Sequence, residues 1–330
     1  MNILVAGGAG YVGSMLVPAL IEHGYGVHVV DLLWFGNHLG PNVSIEKKDI
    51  FSCSAGQLKD YEQVIFLGGL SNDPMAEYDP ALNFVQNGAL PGYLAFMAKQ
   101  AGVRRMIYGS SCSVYGYTEN CLYDEEAPAT CSYPYGISKL QGERAVLQLA
   151  DSTFSAIALR QGTICGYSPR MRFDLIVNTM YKTAVAEGVI RVNNPSIWRP
   201  VLDIRDAVAA YLRAVQADEG VSGVFNVASA NCTVGQVADD VKEQVETLTG
   251  QPVGFEPRHS VKDIVSHVNA HRHTYGDFEA EDYYNVRVFR RLASRGEVWA
   301  PLSPVREGGD AGRRGDRMQA ADREPTGSGS

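Results

Sequence analysis

The chain opens with "NILVAGGAGYVGSMLVPALIEHG", a short apolar run, a turn crowded with glycine, and then apolar residues at helical spacing. Two overlapping patterns fill the turn, Gly8-x-Gly10-x-x-Gly13 and Gly7-x-x-Gly10-x-x-Gly13. This feature constrains the fold most. A buried strand that passes through so tight a turn into a helix is the first half of a crossover. The next strand must then return parallel to the first. "YGVHVVD" reads as that strand, and it ends on the acid Asp31.

The rhythm continues. "QVIFLGG", "RRMIYGSS" and "FSAIALR" read as short buried strands. "PALNFVQNGALPGYLAFMAKQAG" and "YPYGISKLQGERAVLQLA" read as helices between them. Strands alternating with helices predict an α/β fold, a Rossmann-like doubly wound parallel sheet covered on both faces. Beyond Gly162 the pattern loosens. "FDLIVNTMYKTAVAEG" predicts a helix, "RPVLDIRDAVAAYLRAV" a strand running into a helix that Asp206 caps, and "GVFNVAS" a strand. "TVGQVADDVKEQVETLTG" predicts a helix with Thr233 at its N-cap. The expected division is a nucleotide-binding domain over 1–165 and a smaller mixed substrate lobe over 166–305, interleaved with the end of the first domain. A tail over 306–330 is rich in Gly and in both charge signs; it lacks the apolar surface to offset its ordering entropy, so disorder is expected.

The glycine turn has a chemical reading. Glycines let the backbone approach a pyrophosphate, and the free N–H groups of the following helix face it. Gly7, Gly10, Tyr11, Val12 and Gly13 would then line a dinucleotide, and Asp31 would accept hydrogen bonds from its adenosine ribose. A carboxylate there repels a 2′-phosphate, so NAD is favoured over NADP. The 330 residues carry a net charge of −8, and no basic face suggests a nucleic acid. No apolar run is long enough to cross a bilayer and no leader pattern precedes the first strand, so a cytoplasmic protein without a membrane is expected. None of the six cysteines forms a C-x-x-C pair, so no metal site is expected.

Two further stretches carry chemistry. In "SYPYGISK", Tyr135 and Lys139 lie four residues apart and share one helix face. An ammonium beside a phenol lowers its pKa, and such a tyrosine can take a proton from an alcohol. By itself this spacing arises often by chance. In "SSCSVYG", Ser110 to Gly116, three hydroxyls and a thiol crowd together.

Taken in order, GGAGYVG, the strand ending at Asp31, SSCSVYG and YPYGISK resemble the extended short-chain dehydrogenase/reductases. Within them, the chain is similar to the nucleotide-sugar epimerase/dehydratase branch over roughly residues 1–250. The resemblance implies Tyr135 as catalytic base, Lys139 as its partner and a holder of the nicotinamide ribose, and Ser111 as the hydroxyl that binds the reacting sugar. It places Asp49 and Ile50 beside the adenine, and Leu67, Gly68 and Gly69 in a loop along the cofactor. Ser110 and Ser113 are then structural, and Cys112 packs. The family's dehydratases hold an Asp-Glu pair where Cys112 and Ser113 stand, which argues against dehydration here. On the substrate side, Arg199 and Asn178 match residues near a substrate diphosphate. Arg172 and Arg170 either add to that charge or pair with surface acids, and Asn72 and Asp73 read first as turn residues.

The implied activity is an NAD-dependent epimerase of a nucleotide-diphosphate sugar, acting at C4 through a keto-sugar. A dehydrogenase or ketoreductase comes second, a dehydratase or decarboxylase third, and a non-catalytic NAD sensor last. The resemblance also implies a homodimer through a helix pair that includes the Tyr135–Lys139 helix. Members of the family finish with a strand and helix that close the substrate lobe; here "NVRVFRRLASRGEVWAPLSP" gives way to the charged tail, non-native in character.

Overall fold

The structure is a computed structural model. It describes residues 1–116 and 122–254, with a few isolated positions between 266 and 280. The chain divides into two units, Met1–Glu256 and Pro257–Ser330, and the elements described below lie in the first. The expected tail and the segment before it fall outside the described residues.

Seven parallel strands form the main sheet. In chain order they are β1 (Asn2–Ala6), β2 (Gly26–Asp31), β3 (Ser44–Lys47), β4 (Gln63–Phe66), β5 (Arg105–Ser111), β6 (Ser155–Gln161) and, later, β9 (Gly223–Val227). Between β6 and β9 come β7 (Thr163–Cys165) and β8 (Trp198–Asp203), and β10 (Ala230–Thr233) follows β9. The spatial order is β3-β2-β1-β4-β5-β6-β9. The chain winds outward one way from β1 and then the other, so a crevice opens beyond the carboxyl ends of β1 and β4. β8 pairs antiparallel with β10 and parallel with β7 in a separate three-stranded sheet.

The helices are α1 (Gly13–Glu22), α2 (Ala55–Leu58), α3 (Asp73–Tyr78), α4 (Pro80–Asn83), α5 (Leu90–Gln100), α6 (Pro134–Leu147), α7 (Ile176–Glu187), α8 (Ile204–Gln216) and α9 (Val234–Thr249). The period-2 alternation of the strands assigns the two faces. Leu4, Val64 and Met106 face Leu90, Leu94 and Ala98 of α5 in one buried cluster. Ile3, Val5 and Ile65 lie with Leu16 and Leu20 of α1 and Tyr211 of α8 in the other. Both faces are covered, which is why β4 and β6 are buried along their whole length. A third cluster joins α7 to α9 through Met180, Ala184, Val237 and Val245.

Two expectations need correction. Asp203, rather than Asp206, caps α8: its carboxylate accepts from the Arg205 amide at 2.8 Å, while Asp206 accepts from the Ser229 hydroxyl. Thr233 does cap α9, in a reciprocal box with Gln236. The long helix expected from Pro80 is also interrupted. Phe84–Ala89 forms a π-helical turn between α4 and α5. The cause is visible in the sequence: Pro91 has no N–H to give to the Asn87 carbonyl one turn back. Tyr108 supplies the missing donor, its hydroxyl lying 3.2 Å from that carbonyl.

Helix α6 packs directly over this turn at Gly142. A Cβ there would stand 2.2 Å from the Asn87 carbonyl oxygen and 2.8 Å from Pro91 Cγ. Gly142→Ala is therefore expected to destabilise the protein by about 1–3 kcal/mol through overpacking; urea unfolding measures it, and an unchanged midpoint would contradict this packing.

Candidate functional site

The glycine turn forms a cradle at the head of β1. Gly7 has φ +80°, and a Cβ on it would lie 2.4 Å from the Gly68 amide nitrogen. The two turns thus meet backbone to backbone, which only glycine permits. A Cβ on Gly13 would stand 2.2 Å from the Gly8 carbonyl oxygen, so the helix start lies equally close to the turn before it. Gly10 differs: nothing but the Gly7 carbonyl, at 3.5 Å, lies near the place of its missing side chain. Its outer side is open for close approach. No side chain caps α1, and its Ser14 and Met15 amides donate to the Gly10 and Val12 carbonyls, so donors for an anion would come from the turn just ahead of them. Tyr11 and Val12 sit between these glycines.

Asp31 ends β2 beside the cradle. Its carboxylate accepts from the Ala9 amide at 3.0 Å and the Leu33 amide at 2.7 Å. Each oxygen keeps a lone pair for a ribose hydroxyl. Asp49 accepts from the Phe51 amide at 2.9 Å and starts a short 3₁₀ turn, which sets the buried Ile50 against Gly68. Leu67 continues the β4 line, its amide donating to the Ala6 carbonyl, and Gly69 takes φ +110°. These residues fit a dinucleotide: a glycine turn left open at Gly10, a helix starting directly behind it, and a carboxylate at the second strand end.

Tyr135 and Lys139 lie on α6, and Ser111 ends β5 opposite them. The Ser111 hydroxyl is near enough to Tyr135 to favour its phenolate. The predicted lowering of the Tyr135 phenol is not found. Burial raises it to about 12, outweighing the Ser111 hydroxyl and the charge of Arg172, and Asp73 adds to the rise. Burial also brings Lys139 down to about 7, against the pull of Glu143. Its Nζ lies 4.8 Å from the centroid of the Tyr108 ring. Desolvation overrides the local charge, and the spacing of two residues cannot show desolvation.

The sequence reading missed Glu143 and Arg160. Both are buried, and Arg160 donates to Glu143 from Nε at 3.0 Å and from a terminal nitrogen at 2.6 Å. Ser110 donates to the same carboxylate at 2.6 Å. Arg160 also donates to the Tyr115 hydroxyl at 2.7 Å, and that hydroxyl meets Asn226 Oδ1 on β9 at 2.7 Å. A signal was present: Tyr135, Lys139 and Glu143 repeat every four residues, one stripe of α6. Ser110 is thus structural. Cys112 packs as expected, its thiol donating to the Arg160 carbonyl at 3.2 Å and pushed up to about 12 by burial.

On the substrate side, Asn178 is buried and bonded within the protein. Its Oδ1 accepts from the Gly166 amide at 3.0 Å. Its Nδ2 donates to the Tyr11 hydroxyl at 3.1 Å and the Arg172 carbonyl at 2.8 Å. Tyr11 donates to the Gly166 carbonyl at 2.6 Å, and Ser168 donates to the Tyr11 carbonyl at 2.7 Å. Arg172 forks onto Asp174 at 2.9 and 2.6 Å. Arg170 stacks over the Phe35 ring at 3.9 Å. These arginines, Lys182, Met75 and Phe173 line a cleft of about 460 Å³. Arg199 is exposed on β8, and it donates to the Trp198 carbonyl at 3.3 Å. No group of three or more metal-ligating side chains occurs among the described residues, and no described helix is long and apolar enough to cross a membrane.

Two measurements check these assignments. Glu143→Gln leaves a buried guanidinium short of charge, and about 3–5 kcal/mol of stability should be lost on denaturant unfolding. Lys139 titrates at about 7 folded, below its ordinary 10.5 when unfolded. Between those values the unfolded chain binds more protons, so this residue makes stability rise with pH across that window. Lys139→Met should flatten that part of the profile; an unaltered slope would count against a desolvated lysine.

A model of the NAD dependent epimerase/dehydratase family matches residues 3–228. The chain is 27% identical over 269 residues to UDP-glucose 4-epimerase of Neisseria gonorrhoeae, spanning 69% of this chain and 78% of that one. It is 26% identical over 303 residues to putative UDP-arabinose 4-epimerase 4 of Arabidopsis thaliana, spanning 78% and 67%. Its fold matches the solved UDP-glucose 4-epimerase of Thermotoga maritima with UDP-glucose at a TM-score of 0.65 and 26% identity, covering 79% of this chain and 87% of that one. The glycine cradle, the Ser111–Tyr135 pair and the family match over most of the chain agree: this protein belongs to the NAD dependent epimerase/dehydratase family.

Proposed function

We propose that this protein is an NAD-dependent 4-epimerase of a UDP-sugar. The observation that carries the reading is the approach of Tyr135 on α6 to Ser111 at the carboxyl end of β5, in a chain that also builds the glycine cradle. Gly7, Gly10, Tyr11, Val12 and Gly13 would hold the NAD pyrophosphate, Asp31 its ribose, and Asp49, Ile50 and the Leu67–Gly69 loop its adenine side. Bound NAD supplies a hydride acceptor that can return the hydride to either face of a keto-sugar. Ser111 orients the sugar hydroxyl, and Tyr135 takes its proton. Tyr135 releases its own proton only where positive charge offsets its burial, and that is the task of Lys139 on the same helix face.

Arg199 is exposed and lies in no ion pair among the described residues, which suits it to a diphosphate. Arg172 reaches Tyr135 electrostatically while paired to Asp174. The relatives named above act on UDP-glucose or UDP-arabinose by their names, which supports a UDP-sugar and the C4 carbon. Cys112 and Ser113 offer no acid/base pair for elimination, since the Cys112 thiol stays protonated in the neutral range. A homodimer through α6 in the cytoplasm completes the reading.

The test is a panel of UDP-sugars with excess NAD, followed at 340 nm with products separated by chromatography. The expected outcome is an isomeric sugar without accumulating NADH, and its loss by at least about a hundredfold in Tyr135→Phe with NAD still bound. Stoichiometric NADH would instead make the protein a dehydrogenase. Turnover that survives Tyr135→Phe would remove the tyrosine from its role.

A further inference from the structure

Asp73 begins α3, a few residues beyond the loop that meets the glycine cradle, and α3 packs on α6. The sequence reads Asn72 and Asp73 together as turn chemistry, but the structure separates them. Asn72 is the cap: its Oδ1 accepts from the Met75 amide at 3.1 Å, and its Nδ2 donates to Asp174 at 3.0 Å. Asp73 does no such work. Its Oδ1 is shielded from solvent and accepts no hydrogen bond. Native chains leave few buried oxygens in that condition, because the lost hydration is not recovered.

The surroundings say what the oxygen faces. Burial raises the Asp73 carboxyl, Glu77 adds to the rise, and Arg199 opposes it. The charge of Asp73 in turn reaches the Tyr135 phenol. The carboxylate is therefore within electrostatic range of the proposed base and of the arginine proposed for the diphosphate. A sugar ring joined to that diphosphate and presented to Tyr135 passes between them. Of the arginines on this side, Arg199 is left for the diphosphate, and the other two are engaged. Arg172 is forked onto Asp174, which Asn72 also holds, and Arg170 is stacked on Phe35.

We propose that Asp73 is a specificity-determining residue of the sugar subsite, where its buried Oδ1 accepts a hydrogen bond from a proton-bearing ring substituent, a hydroxyl or an ammonium group, and disfavours a uronate carboxylate. This inference rests on the nucleotide-sugar reading above. A site built around an acceptor strongly rejects a ligand that brings no donor, since the acceptor then stays buried and unpaired. A second carboxylate at the same place adds like-charge repulsion.

The experiment is calorimetric titration of the NAD-loaded Tyr135→Phe protein, which blocks turnover, with UDP-glucose, UDP-glucosamine and UDP-glucuronic acid. The same titrations are run with Asp73→Asn and Asp73→Ser added. The expected result is tighter binding of UDP-glucose than of UDP-glucuronic acid, with that preference shrinking ~10- to 100-fold in both Asp73 variants while NAD affinity holds. A larger loss for UDP-glucosamine than for UDP-glucose identifies the donor as ammonium; equal losses identify a hydroxyl. An unchanged preference overturns the role of Asp73 and leaves the nucleotide-sugar reading standing. Loss of NAD affinity in both variants makes Asp73 a structural group and overturns it as well. A parent protein that binds none of the three sugars overturns the nucleotide-sugar reading and this inference with it.

Discussion

The pair of Arg160 and Glu143 is the contact on which the reactive edge of the sheet depends. Two unlike charges out of water survive only with close geometry and further hydrogen bonds around them. That condition is met by groups from five elements. Arg160 comes from β6, Glu143 from α6, Ser110 from the end of β5, Tyr115 from the turn after it, and Asn226 from β9. Ser110 and Ser111 are neighbours in the chain, and Glu143 and Tyr135 share one stripe of α6. Ser111 and Tyr135, the groups proposed to handle the proton, therefore sit on elements that this buried ion pair holds together.

Glycine acts as the complementary constraint. At Gly7, Gly13 and Gly142 the backbones of separate elements come closer than any side chain allows. Gly142 stands inside α6, so there glycine serves proximity without a turn. The consequence is a rigid seat: the glycine turn rests on the 67–69 loop, and α6 rests on the π-helical turn. Between these two close contacts lie the carboxyl ends of β1, β4 and β5, where the candidate site is formed.

Much of this was legible from the sequence because it is written in local pattern. Buried strands such as "QVIF" are continuous apolar runs, and the glycine turn announces the strand before it and the helix after it. What was not legible depends on burial and on distant partners. The direction of the Tyr135 shift follows from desolvation, and nothing in "YPYGISK" reports how deep the phenol lies. β3 and α2 are too short for a period to show. The commitment of Asn178 to Gly166, Tyr11 and Arg172 is decided by the fold, since two of those partners come from other elements. Pro91 was in plain view, yet its effect required knowing that Tyr108 stands ready to take the orphaned carbonyl.

Tyr11 gives the arrangement a further property. It belongs to the glycine turn, yet its hydroxyl and carbonyl are tied by three hydrogen bonds to Gly166, Asn178 and Ser168 on the opposite, substrate-facing segment. A turn and a wall joined in this way order together. The entropy lost in fixing one is then largely lost for the other as well. One tyrosine side chain is thus enough to tie the turn and the wall of the crevice into a single unit.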